Sequence, residues 1–304
     1  MIQDQRMMKL KEDNIKNMNK VTDYPWTLSA ICLMILVFVA VPVSADQDLA
    51  KQSQNPIGNM ISLPMQNNTY FDVGPSEEWA NSFQFQPVYP VNFGKVNLIN
   101  RAIIPINYLA SQEVTVPNRE QIQDDFVTFE TDSVFGLGNI TWQGFISPAK
   151  PGKLIWGAGP VLQIPTHTDD RLGTDKWSAG PGLVALAMPG KWVLGVLGYN
   201  IWSFAGPSDE DDVNSLLFQY FVNYNIANGW YVTSAPVITA NWEEDSSQRW
   251  TVPLGGGIGR LVKFGKQPVD FKVQTFWYAE KPDNGPDWAL QFQVKLLFPK
   301  EKQK

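Results

Sequence analysis

The stretch WALQFQVKLLF, residues 288–298, puts Trp288, Leu290, Phe292, Val294, Leu296 and Phe298 at every second position. Between them stand Ala289, Gln291, Gln293, Lys295 and Leu297. Successive side chains of a strand point to opposite faces. The segment therefore has one greasy, aromatic face and one face made mostly of amide and ammonium groups. Its length matches the roughly 9–11 residues with which a tilted strand crosses a bilayer.

The same lettering recurs along the chain. Strand candidates fall at 60–66, 82–90, 96–106, 137–147, 154–164, 177–187, 192–202, 214–226, 230–240, 250–262, 268–278 and 288–298. Leu216, Phe218, Tyr220, Val222 and Tyr224 share one face against Gln219, Asn223 and Asn225. Val269, Phe271, Val273 and Trp277 oppose Asp270, Lys272 and Gln274. Ile140, Trp142 and Ile146 oppose Asn139, Thr141 and Gln143. The segments 177–187 and 192–202 are apolar on both faces, and pattern alone does not orient them. Helical periodicity is weak after the first 45 residues.

The connections sort by length. VNFGK (91–95), PAKPGK (148–153), MPGK (188–191), ANG (227–229) and KFGKQ (263–267) are short. They alternate with longer connections at 67–81, 107–136, 165–176, 203–213, 241–249 and 279–287. Charge sorts the same way. The short turns carry Lys95, Lys150, Lys153, Lys191, Lys263 and Lys266 without an acid, whereas the long loops hold Asp209 to Asp212, Glu243 to Asp245, and Asp124 with Asp125. Such an alternation describes an all-β chain: a closed, antiparallel, up-and-down transmembrane β-barrel of about 12 strands with both termini in the periplasm. Physics agrees. In hydrocarbon every backbone N–H and C=O needs a protein partner, and among sheets only a closed one provides it. Trp156, Trp177, Trp192, Trp202, Trp230, Trp250, Trp277 and Trp288 lie at or near the ends of candidate strands, where an indole keeps its ring apolar and its N–H wet.

Lys9, Lys11, Lys16 and Lys20 precede an apolar run from Leu28 to Val43 that ends in VSA. Residues 1–45 thus read as a signal peptide cut after Ala45. Residues 46–59 read as a periplasmic leader, 60–298 as the barrel and 299–304 as a C-terminal tail. The one cysteine, Cys32, falls in the targeting segment, so the exported part is stabilised without disulfides. With 24 basic and 30 acidic residues, a net charge of −6, the chain does not have the electrostatics of a nucleic-acid binder.

Several stretches carry a family resemblance: QNPIGNMISLPMQNNTYFDVGP (54–75), SPAKPGKLIWGAGPVLQIPT (147–166), WSAGPGLVAL (177–186), NIWSFAG (200–206) and QFQVKLLFPK (291–300). Together they resemble bacterial exported proteins labelled "neuromedin U" or "transporter". That family is similar to a wider group of outer-membrane barrels named for the meta pathway of phenol degradation. The resemblance covers nearly all of 54–300. It implies a fold and a place in the outer membrane of a Gram-negative bacterium, with that membrane's lipids and the barrel-assembly machinery as partners. It brings no catalytic residues. The chain departs from common barrels in one respect: PKEKQK follows Phe298, where such proteins commonly end on the aromatic.

The functional candidates are polar residues whose parity points them into the lumen: Arg101, Gln143, Gln163, Gln219, Asn223, Asp270, Lys272, Gln274, Gln291, Gln293 and Lys295. Ile103, Phe221 and Phe276 join them by the same parity. An interior that mixes amides with apolar rings suits a channel or transporter for small solutes, hydrophobic or aromatic ones among them. The alternatives are a structural or adhesive outer-membrane barrel, and a soluble secreted β-sandwich that binds a ligand. His167, the only histidine, lies beside Asp169 and Asp170 without a nucleophile placed near it by any motif. The reading is therefore not an enzyme, with no cofactor and no metal.

Overall fold

The computed structural model describes residues 47–117 and 126–299. The targeting segment, Asp124, Asp125 and the tail after Pro299 lie outside the described residues. The chain forms α1 (Gln47–Ser53), then β1 (Ile61–Val73), β2 (Glu78–Phe85), β3 (Val88–Asn92), β4 (Val96–Leu109), β5 (Gln112–Pro117), β6 (Phe126–Thr131), β7 (Val134–Leu137), β8 (Ile140–Pro148) and β9 (Leu154–Ile164). There follow β10 (Trp177–Ala187), β11 (Trp192–Ala205), β12 (Asn214–Asn225), β13 (Trp230–Ser234), β14 (Val237–Asn241), β15 (Trp250–Phe264), β16 (Gln267–Glu280) and β17 (Trp288–Phe298).

Strands β2 and β3 both pair with β1 and with β4, so they are one stave interrupted at Gln86 and Pro87. The stave β7/β8 breaks at Gly138 and Asn139 along β4, and β13/β14 breaks at Ala235 and Pro236 between β12 and β15. Proline has no N–H to give a ladder, which explains two of the three breaks. Merged in this way, the staves number twelve and run antiparallel in sequence order. The sheet closes on itself. β1 meets β17 in continuous register from Ile61↔Phe298 to Phe71↔Trp288. β11 meets β12 from Trp192↔Tyr224 to Trp202↔Asn214. A single closed layer leaves no edge, unlike a two-layer sandwich.

Side-chain parity follows the closure. The outward row of β10 to β12 includes Leu183, Leu194, Val196 and Val222, all exposed. The inward row holds Val184, Leu186, Val193 and Leu197, all but inaccessible. This orients the two segments that were apolar on both faces: the inward apolar row packs within the lumen. An exterior of this kind is written for hydrocarbon, not water. Aromatics bound the apolar belt at both ends. Trp156, Trp192, Phe264 and Phe298 are exposed near the short turns, and Trp177, Trp202, Trp277 and Trp288 near the long loops. Trp288 stacks on Phe71 at 3.9 Å between centroids. Trp192 leans on Tyr224 at 4.7 Å, while Lys191 Nζ sits 6.0 Å from that tyrosine ring.

Leu183 lies near the middle of β10 and is 55% exposed. Leu183→Lys is expected to destabilise the membrane-embedded protein by about 2–4 kcal/mol, the cost of a charge near the bilayer midplane. Urea unfolding in lipid vesicles measures it; an unchanged midpoint would mean that this face does not meet lipid.

Residues 47–58, within the 46–59 segment read above as a leader, are built into the barrel. α1 and the turns after it fill the short-turn end of the lumen. Ala50 packs on Leu261 and Leu297. Ile57, 3% exposed, joins Val88, Ile99, Phe145, Val184, Leu186, Leu197 and Phe221 in the main apolar cluster. Polar ties hold the segment at several points: Lys51 Nζ donates to the Gly190 carbonyl at 2.7 Å, Gln54 Nε2 to Asn225 Oδ1 at 2.9 Å, and Lys295 Nζ to the Ser53 carbonyl at 2.8 Å. Gln47 also donates to the Ile226 carbonyl.

Candidate functional site

Above this plug the lumen opens into two adjoining chambers. The smaller, about 110 Å³, lies toward the short turns. The larger, about 550 Å³, lies toward the long loops. Gln66, Gln86, Arg101, Gln219 and Ala235 line both, so these residues form the junction.

The positions singled out from sequence fall as follows. Arg101 and Gln219 stand at the junction. Asn223, Asp270, Lys272, Gln293 and Lys295 line the smaller chamber. Gln143 and Gln291 line the larger one, as do Ile103 and Phe276, while Phe221 faces the smaller. Gln274 shares the inward parity of Asp270 and Lys272, is buried, and lines neither chamber. Gln163 shares the inward parity of Val161 on β9, in register with Thr141 and Ser178, and lines neither chamber.

The amides bind each other before they bind anything else. Gln274 Nε2 donates to Gln291 Oε1 at 2.7 Å, Gln291 Nε2 to Asn68 Oδ1 at 2.9 Å, and Gln293 Nε2 to Gln66 Oε1 at 3.1 Å. Gln274 Oε1 accepts from the Ala235 N–H at 3.1 Å, and Gln219 Nε2 donates to the Ala235 carbonyl at 3.0 Å. This belt crosses β12 to β17 and reaches β1. It satisfies the β13/β14 break at Ala235, where ladder bonding stops. Buried polar groups that are paired in this way stiffen a wall. Gln143, 1% exposed, differs: its Oε1 has no partner among the described residues.

The charged groups behave differently. Asp270 uses its carboxylate on the structure: Oδ1 accepts from the Tyr231 hydroxyl at 2.9 Å, and Oδ2 from the Ser53 hydroxyl at 3.2 Å. It therefore holds the plug. Lys295 is turned to Ser53 as well. Arg101 donates Nη2 to Gln86 Oε1 at 2.6 Å. Lys272 makes no hydrogen bond and no ion pair among the described residues. Sequence reading missed Gln66, Asn68, Tyr199, Tyr231 and the plug residues. The parity of β1 was legible only as far as 66, and the tyrosines sat in rows whose apolar neighbours hid the direction of the strand.

The long-loop end carries structure of its own. β5 and β6 make a separate hairpin inside the 107–136 connection. His167 is held by Asn139, with Nδ1 3.0 Å from Oδ1, and its Nε2 lies 3.4 Å from Asp175. Arg171 Nε donates to Asp169 at 3.1 Å; that hydrogen bond, with the guanidinium charge behind it, holds the exposed Asp169 carboxyl below its ordinary range. These contacts shape the 165–176 loop. Among the described residues, no three His, Cys, Asp or Glu side chains converge as metal ligands would.

No family model matches the sequence, and no curated protein matches it. Solved structures do. The chain is similar to the COG4313 outer membrane channel from Pseudomonas putida F1, at 14% identity and a TM-score of 0.57, over 80% of this chain and 97% of that one. Outer membrane phospholipase A from Escherichia coli matches at 12% identity and a TM-score of 0.39, over 79% and 96% of the two chains. The Salmonella typhi outer membrane phospholipase dimer with bound calcium matches at 11% and 0.39, over 85% and 99%. At 0.39 the overlap is too loose to compare sites. The first likeness is one of fold, a closed antiparallel barrel of the kind found in outer membranes.

Proposed function

We propose that this chain is an outer-membrane channel of a Gram-negative bacterium, passing small solutes that include hydrophobic or aromatic ones. The observation that carries the reading is the pair of adjoining chambers inside a closed barrel whose exterior is apolar between two aromatic girdles. The fold shared with a Pseudomonas channel supports it. So does the resemblance of 54–75 and 147–166 to the transporter-labelled family allied to the phenol-degradation barrels. On this reading both termini are periplasmic, because the first residue of β1 pairs with the last of β17 at the short-turn end. Insertion goes through the barrel-assembly machinery. Of the polar residues named above, Arg101, Gln143, Gln219, Asn223, Asp270, Lys272, Gln291, Gln293 and Lys295 line the path, whereas Gln163 and Gln274 stand outside both chambers. Neither chamber holds a constellation to which we assign catalysis.

Passage is diffusive and narrow, since the plug fills the lumen at the short turns. Purified protein in planar bilayers is expected to give small, stepwise conductances in potassium chloride. A silent bilayer from protein that still shows heat-modifiable gel mobility would refute the channel. The adhesive alternative draws on the elaborated long-loop end, with its β5–β6 hairpin. Replacing 112–131, the hairpin outside the wall, with a short turn separates the two: conductance survives in a channel, whereas an adhesin loses its cell binding.

A further inference from the structure

The charge inside the barrel is unbalanced in a specific way. Among the described residues, three cations, Arg101, Lys272 and Lys295, face the smaller chamber with one acid, Asp270. Like charges in a poorly solvated space repel strongly. The single carboxylate offsets one of the three charges and leaves an excess of two. No lysine or arginine nitrogen lies within ion-pair distance of it among the described residues. Lys295 is itself occupied with the plug carbonyl. That leaves Lys272, which has no hydrogen-bond partner among the described residues, and Arg101. A guanidinium carries five N–H donors, and one hydrogen bond, to Gln86, takes up little of that capacity.

Among the described residues, Arg101 is also the only charged one lining the larger chamber. The rest of that lining is amide, tyrosine, threonine and hydrocarbon, with Ile103, Leu197, Leu217 and Phe276 among it. A pocket of this volume, apolar with a few convergent polar groups, is the usual form of a small-molecule site. Its one fixed charge stands at the junction with the smaller chamber, where the other cations begin.

We infer that this junction is a binding site for an organic monoanion: a carboxylate on an apolar body of about one aromatic ring. The carboxylate sits between Arg101 and Lys272, and the ring lies against Leu197, Leu217, Phe276 and Ile103. A planar, forked guanidinium suits a carboxylate in two-point contact, and the ammonium adds a mobile point charge. The inference rests on the channel reading for its biological meaning, and the site itself can be tested apart from it.

The test uses full-length protein in detergent, titrated calorimetrically with benzoate, benzyl alcohol and acetate. Benzoate is expected to bind at least about ten-fold more tightly than either. The double variant R101Q/K272Q is expected to lose that advantage, and K272Q alone to lose part of it. All variants are first checked for heat-modifiable mobility, and K272Q decides the matter should the double variant not fold. Benzyl alcohol binding as well as benzoate would remove the anion site. Acetate binding as well as benzoate would show an adventitious charge contact without the apolar chamber. Equal benzoate affinity in wild type and K272Q would also overturn the inference. Conductance is recorded on the same preparations. Conductance without benzoate binding sinks the site and leaves the channel standing, whereas binding without conductance does the reverse.

Discussion

Removal of residues 47–58 raises the single-channel conductance several-fold: this is the largest effect the structure leads us to expect. The segment fills the lumen where it is narrowest, and its hold is distributed. Ile57 is buried in the main apolar cluster, Ala50 packs on Leu261 and Leu297, and Ser53 is gripped by Asp270 and Lys295. None of these contacts belongs to the ladder that closes the barrel, so the wall survives their loss. Ile57→Glu tests the same idea without a deletion. A carboxylate at that position is buried among Phe145, Leu186 and Phe221 without a partner, which costs several kcal/mol; expelling the segment into water relieves that cost. Conductance recordings on both variants, with urea unfolding to follow the wall, provide the measurement. Two folded variants that conduct no better than wild type would show that the plug does not limit flow.

The second large effect concerns assembly. Gly257, on β15, pairs with Gln274 on one side and Thr233 on the other. A Cβ there would stand 1.8 Å from the Val273 carbonyl oxygen. The obstruction is backbone in a neighbouring stave, so no rotamer change relieves it. Gly255 is similar, 2.0 Å from the Thr275 carbonyl oxygen. Gly257→Val is therefore expected to lose more than the roughly 1–3 kcal/mol typical of overpacking, and to leave most of the protein unfolded by gel mobility. Gly265→Asn is the control. That glycine is in the β15–β16 turn at φ +62°, with open space around its Cβ position, and asparagine tolerates such a conformation. Wild-type assembly of Gly257→Val would mean that β15 and β16 are spaced more widely than described.

The parts of this architecture that were legible share a physical cause. The limits of β9, β10 and β17 match their sequence-based expectation because an apolar run of strand length is closed on both sides by residues such as Pro, Gly or Lys. β1 and β4 run past their expected ends, to Val73 and Leu109. The run Gln66–Asn67–Asn68–Thr69 is polar at every position although it pairs with Leu290 to Gln293 inside the belt, and it gives the parity nothing to act on. Asn67 bonds across to Asn81 at 2.9 Å there, a pairing visible only once the register is known. α1 was not legible at all. Seven residues are too short to be helical by propensity, and this helix is ordered by a lumen that the local sequence does not contain. The chambers were legible as a set of inward residues but not as a junction. Which cation is left without a close partner depends on the Ser53 carbonyl, far from Lys295 in the chain.

The way the first residues of the fold are seated bears on how the cylinder comes into being. Lys295 and Leu297, in the last stave, complete the grip on Ser53 and Ala50. The opening segment is thus a mandrel for the winding: eleven staves can gather about it, and the twelfth clamps it as the seam is sewn. Chains that lose it are expected to make the same tube more slowly, with more attempts that join the wrong margins.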